Sequence, residues 1–190
     1  MTIIGATPVV GVIGNALDFN DGNYYASRAA TATFTPGELG LSTWVKRTAG
    51  QNAWVYALAH NSVTARTAYV AVYGTGEVEV TYGYDAANFR QAVSTTQMAL
   101  GSYIHLAVNV SDAGYEIFLG DVSVPFTLTG GAVGVEHWPK PEDVYNTVAM
   151  GGLIRNAPIY GNHAQDETRI FNRIFTRSEV TALFAEGPPQ

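Results

Sequence analysis

Thr67-Ala68-Tyr69-Val70-Ala71-Val72-Tyr73-Gly74-Thr75-Gly76-Glu77-Val78-Glu79-Val80-Thr81-Tyr82 is the stretch that decides the fold. Two short alternating runs, 67–73 and 77–82, flank Gly74-Thr75-Gly76. Period-two alternation broken by a glycine turn reads as a β-hairpin. The same reading extends outward. Tyr103 to Val110 and Tyr115 to Leu119 flank Ser111-Asp112-Ala113-Gly114, a second hairpin. Ala16–Phe19, Leu41–Lys46, Ala53–Ala59, Thr147–Met150 and Thr168–Phe171 add further short strands. Many short strands with close turn signals predict an all-β, antiparallel sandwich.

One helix closes the pattern. Thr176 is placed to cap it and Glu179 to complete a capping box. Val180, Leu183 and Phe184 share one face, and Gly187-Pro188-Pro189 stops it. The expectation is a short helix packed on the sandwich edge.

Composition bounds the function. The chain has 190 residues and reads as one domain over 1–190. It is 47% hydrophobic, too apolar for a disordered chain. Only 14% of residues are charged, and the net charge is −6. The two lysines, Lys46 and Lys140, and the scattered arginines form no basic cluster. Nucleic acid and anionic membrane are therefore not expected partners. No apolar run is long enough to span a bilayer. The segment from Met1 to Val10 lacks the features of a secretory signal. Without cysteine, there are no disulfides, thiolate metal sites or cysteine nucleophiles. The low charge fits either a subunit covered within an assembly or a Thr- and Gly-rich extracellular type of sandwich.

Asp166-Glu167-Thr168-Arg169-Ile170-Phe171-Asn172-Arg173-Ile174-Phe175-Thr176-Arg177-Ser178-Glu179-Val180 resembles the closing signature of laminin-G-like domains. These belong to the concanavalin A-like jelly rolls of the lectin/glucanase superfamily. Gly14–Gly22 is similar to the family's opening strand and turn, Leu41–Lys46 to a core strand, and 103–108 with 115–119 to its hairpin. The resemblance implies a jelly-roll sandwich. The sequence departs from the pattern at Gly120-Asp121, at Tyr103, and in a long stretch from Gly130 to Asn146. That last stretch bears on function, because such loops often carry binding.

The resemblance also implies a calcium ion between the early turn, Asn20 and Asp21, and Asp166, which opens the last strand. Hard cations take oxygen ligands of this kind. The expectation is thus no cofactor, or one structural calcium. Glu77 and Glu79 share one strand face at roughly 6–7 Å. A retaining glycosidase needs two carboxylates about 5–5.5 Å apart. A solvated strand face is the expected reading, with glycoside hydrolysis a remote alternative. The four histidines show no zinc spacing. His105 reads as structural, and His163 as a surface residue that is also placed to be a ligand. No G-x-S-x-G elbow or phosphate-binding loop occurs.

Trp138 and His137, in the 130–146 stretch, are ligand or interface candidates, with Tyr145 and Tyr160 beside them. Aromatic rings stack on sugars, anchor protein interfaces or cover a core. Trp44 and Trp54 read as core. These features predict a non-catalytic binding or structural module. The main expectation is a virion surface component (a decoration, tail or fibre-associated protein) that partners other subunits and aids adhesion. The alternative is a free, calcium-dependent, carbohydrate-binding lectin with glycans as partners. The expected location is the virion or extracellular surface.

Overall fold

Alternation along each strand sorts the side chains onto two sides, and two sheets meet across the apolar one. The computed structural model describes residues 2–4, 7–10, 15–19, 24–29, 38–48, 50–60, 63–83, 89–130, 145–154 and 159–187. The strands are β1 (Thr2–Ile4), β2 (Thr7–Val10), β3 (Asn15–Asp18), β4 (Tyr25–Ala29), β5 (Leu39–Arg47) and β6 (Ala53–His60). They continue with β7 (Val63–Val72), β8 (Glu77–Gly83), β9 (Phe89–Gln97), β10 (Tyr103–Ser111), β11 (Gly114–Leu119) and β12 (Val122–Val124). Then follow β13 (Phe126–Thr129), β14 (Thr147–Met150), β15 (Gly152–Leu153), β16 (Ile159–Tyr160) and β17 (His163–Phe171), with helix α1 (Arg177–Ala185) last.

An eight-stranded sheet runs β1-β4-β14-β6-β7-β8-β9-β13, and a seven-stranded sheet runs β12-β11-β10-β5-β17-β3-β2. A two-stranded ladder joins β15 and β16. Pairing is antiparallel in both large sheets, as in the β7–β8 and β10–β11 hairpins read from the sequence. Gly76 turns the first hairpin at φ +116°, where its N–H donates to Tyr73 O at 2.9 Å. A residue with a Cβ is strained there.

The inner faces make the core. Leu39, Leu41 and Val45 of β5 and Leu106, Val108 and Val110 of β10 meet Val55 and Leu58 of β6, Val70 of β7 and Val80 of β8, all fully buried. Each such side chain contributes about 1.5–3 kcal/mol by leaving water.

Helix α1 forms with the capping box read from the sequence: Glu179 N–H donates to Thr176 Oγ1, and Thr176 N–H to Glu179 Oε2. Its position corrects the expectation of an edge. The helix lies on the outer face of the seven-stranded sheet. Val180 packs with Ala107, Phe118 and Phe175, and the Phe184 ring stacks on Trp44 with centroids 5.9 Å apart. Asn109 anchors the approach by accepting from Phe175 N–H at 2.7 Å and donating to Phe175 O at 2.8 Å. Among the described residues, no helix is long and apolar enough to cross a membrane.

Trp44 and Trp54 are buried, but neither lies between the sheets. Trp44 alternates against Val45 and so faces α1. Trp54 belongs to a smaller cluster with Ala57, Ala59, Ala71 and Leu153 on the outer side of the eight-stranded sheet.

Candidate functional site

The outer face of the eight-stranded sheet holds a polar and aromatic grouping built on Glu79 and Trp54. Its core-facing residues on β7 and β8 are Ala68, Val70, Val72, Val78 and Val80. Alternation therefore turns Tyr69, Ala71, Glu79 and Thr81 outward. Register sets Tyr69 opposite Thr81, and Thr81 opposite Gln91 of β9. Ala57 sits across from Tyr69 on the other side, and Trp54 across from Ala71.

Glu79 is the hub. It is only 2% exposed, which corrects the expectation of a solvated strand face. A buried carboxylate needs hydrogen bonds. Glu79 Oε1 accepts from the Tyr69 hydroxyl at 2.9 Å, from Thr81 Oγ1 at 2.8 Å and from Gln91 Nε2. Gln91 Nε2 also lies 3.2 Å from Tyr73 hydroxyl, and Thr129 Oγ1 donates to Gln91 Oε1 at 2.8 Å. Burial, then the Glu79 charge, pushes the Tyr69 phenol well above its ordinary range and Tyr73 up to about 12. Both hydroxyls stay protonated at neutral pH.

Aromatic rings adjoin this hub. Trp54 meets Tyr69 edge-on, with centroids 4.8 Å apart at 72°. Away from the hub, three strands from β7, Tyr160 stacks on Tyr25 of β4, centroids 5.9 Å apart at 28°. Tyr69, Tyr73 and Gln91 are partly exposed, so hydroxyl, amide and ring edges reach the surface together. Tyr69 and Tyr73 offer ring edges and fixed polar groups for orientation, with Trp54 buried against Tyr69 at 5% exposure. Sequence reading missed Tyr69, Tyr73, Thr81 and Gln91. Their common signal is parity: each sits opposite the valines or alanines that fill the core.

Of the sequence-derived candidates, Tyr160 does lie beside an aromatic partner. Tyr145 is buried at 8% exposure within the core between the sheets, and not exposed in a loop, held there by its large apolar ring. Trp138 and His137 fall outside the described residues, as do Asn20 and Asp21.

Asp166 is buried on β17, and its Oδ1 accepts the Glu167 N–H at 2.9 Å. There the β17–β5 register shifts and Glu167 takes φ +48°. Asp166 and Asp18 both act on the Tyr103 phenol, behind burial as the first cause of its raised pKa. Lys46 Nζ lies 5.7 Å from the Tyr103 ring. Among the described residues, no three His, Asp or Glu gather to hold a metal ion. The donor chemistry of Asp166 suits calcium, and a described set that completes a site is lacking.

His163 is not a surface residue. It is fully buried on β17, its ring 5.2 Å from that of Phe19, and burial lowers its pKa to about 4. Its Nε2 lies 3.2 Å from Gln165 Oε1. His105 is structural as expected: Ser42 Oγ is 2.9 Å from Nε2, and Gly120 O is 3.2 Å from Nδ1. A carbonyl only accepts, so Nδ1 carries the proton and burial keeps the ring neutral.

No protein-family model matches the sequence, and no curated protein is significantly similar to it. Solved structures do resemble it. Domain 4 of AbnA, a GH43 extracellular arabinanase from Geobacillus stearothermophilus in complex with arabinotriose, is 17% identical with a TM-score of 0.70. That match covers 95% of this chain and 81% of the other. The CBM40 of Ruminococcus gnavus IT-sialidase, bound to α2,3-sialyllactose, is 8% identical with a TM-score of 0.67, covering 89% and 95%. A mutant Trypanosoma rangeli sialidase with trans-sialidase activity is 15% identical with a TM-score of 0.67. The match takes in 96% of this chain but only 29% of the sialidase. At these identities the likeness shows the fold alone: an antiparallel jelly-roll β-sandwich, as expected from the sequence.

Proposed function

We propose that this chain is a non-catalytic carbohydrate-binding module of the laminin-G-like kind, binding glycans on the outer face of its eight-stranded sheet. The observation that carries this reading is the Trp54–Tyr69 pair set beside the Glu79, Thr81 and Gln91 network. Two of the similar structures carry bound saccharides, arabinotriose in one and sialyllactose in the other. These likenesses favour the lectin over the virion component, so the lectin becomes the main reading. A glycan-binding face would also serve adhesion if the chain sits on a particle.

Binding rather than hydrolysis fits the hub. Tyr69, Thr81 and Gln91 all engage the same Glu79 oxygen, and Glu77 is engaged separately by Thr75 and Gln97. Carboxylates tied down in this way orient neighbours; general acid–base work needs one that meets the substrate. A glycan and polysaccharide array, run with calcium and with EDTA, tests the reading. Reproducible hits lost in Tyr69→Ala are expected. A blank array under both conditions would sink it. Loss of hits in EDTA alone would add the calcium that the Asp166 resemblance implies.

A further inference from the structure

We infer that the face selects neutral, hydroxyl-rich saccharides and rejects acidic ones, because its donors are turned inward onto Glu79 and its described outward strand positions carry no Lys or Arg. The inference rests on the glycan-binding reading above and narrows its ligand class. Tyr69 and Thr81 hydroxyls spend their protons on Glu79, at 2.9 and 2.8 Å. Gln91 turns its amide N–H toward Glu79 and Tyr73, and its carbonyl accepts from Thr129. At the end of the same strand, Gln97 Nε2 donates to Glu77 Oε1 at 2.7 Å. Glu79 and Thr81 are themselves buried, so a ligand meets the partly exposed Tyr69 and Gln91, whose donors are already engaged.

Charge agrees with hydrogen-bond polarity. The outward positions of β6, β7, β8 and β9 carry Trp54, Tyr69, Tyr73, Glu77, Glu79 and Gln91. Among the described residues at those outward positions, none is Lys or Arg. A sugar hydroxyl donates to such acceptors. A uronate or sialate carboxylate brings only acceptors and a like charge, and Arg47, which acts on Glu77, is committed to Met98 O and Gly74 O. Sialyllactose, the ligand of one similar domain, is thus not expected here.

The test uses the full chain and pairs of ligands that differ in charge: lactose against 3′-sialyllactose, and methyl-esterified against de-esterified polygalacturonate. The neutral member of any binding pair is expected to bind at least about tenfold tighter. Added salt should narrow that gap by screening the repulsion. Glu79→Gln should narrow it too. Tyr69→Phe, which keeps the carboxylate, should weaken the neutral member and leave the acidic one rejected. Equal or tighter binding of the acidic member overturns the inference while glycan binding stands. Binding of neither member, across pairs and across an array, removes the glycan reading and the inference with it.

Discussion

The two outer faces of the sandwich start alike and end differently. Each carries a tryptophan set opposite the core parity, Trp44 on the seven-stranded sheet and Trp54 on the eight-stranded one. On the first, α1 lays Phe184 over Trp44 and His105, and Val180 over Ala107 and Phe118. On the second, Trp54 meets Tyr69 at the rim of a network built on a buried carboxylate. One face is closed by the chain's own helix, with its polar groups satisfied locally. The other keeps a charge, several hydroxyls and an amide near partly exposed rings. A fold that needed only stability would gain from apolar residues at Glu79 and Gln91. The proposed glycan-binding role accounts for their presence on the second face.

Trp44→Ala should break the closed face most severely. A large-to-small change at a buried aromatic costs about 3–5 kcal/mol. Urea denaturation should show that loss, and glycan binding per folded molecule should be unchanged. Unchanged stability would mean that α1 does not depend on this contact.

Acid should weaken both faces together, because His163 lies inside the sandwich. Its pKa is about 4 when folded and 6.5 ordinarily. As pH falls below 6.5, the unfolded chain takes up the proton first. Stability is then lost down to pH 4 and is flat in this group below that. The loss is about 3 kcal/mol. Comparing urea midpoints at pH 7 and pH 4 for the parent and for His163→Leu isolates it, since the variant lacks the step.

Tyr69→Phe sharpens the comparison from the other side. Removing one hydroxyl should weaken glycan binding about tenfold, or about 1.4 kcal/mol, at a stability cost of about 1 kcal/mol. Titration calorimetry alongside thermal melts separates the two. Equal binding would detach the hub from recognition. The smallest effect belongs to Thr176→Ala: loss of the cap should cost about 1 kcal/mol, seen as a modest fall in melting temperature.

Local chemistry made much of the fold legible. Gly74-Thr75-Gly76 and the capping box of Thr176 and Glu179 act within a few residues, and both form as read. Strand β9, Phe89-Arg90-Gln91-Ala92-Val93-Ser94-Thr95-Thr96-Gln97, escaped notice because its polar content hides the alternation. The site was less legible for a different reason. Glu79 is held by groups 10 and 12 residues away, on neighbouring strands. A lone carboxylate on a strand reads as solvated until those strands are in register. His163 misled in the same way: it is flanked by Asn162, Gln165 and Asp166, yet strand pairing with β5 carries it inside.

The opposite placement of Trp44 and Trp54 gives the protein two optical probes with separate subjects. Trp44 lies against His105 and Phe184, so its emission reports whether the helix is docked. Trp54 lies against Tyr69, so its emission reports what happens at the Tyr69–Glu79 hub. Trp44→Phe and Trp54→Phe, each combined with Trp138→Phe, would leave one emitter apiece. A saccharide titration followed in both backgrounds should then move the Trp54 signal and leave Trp44 still.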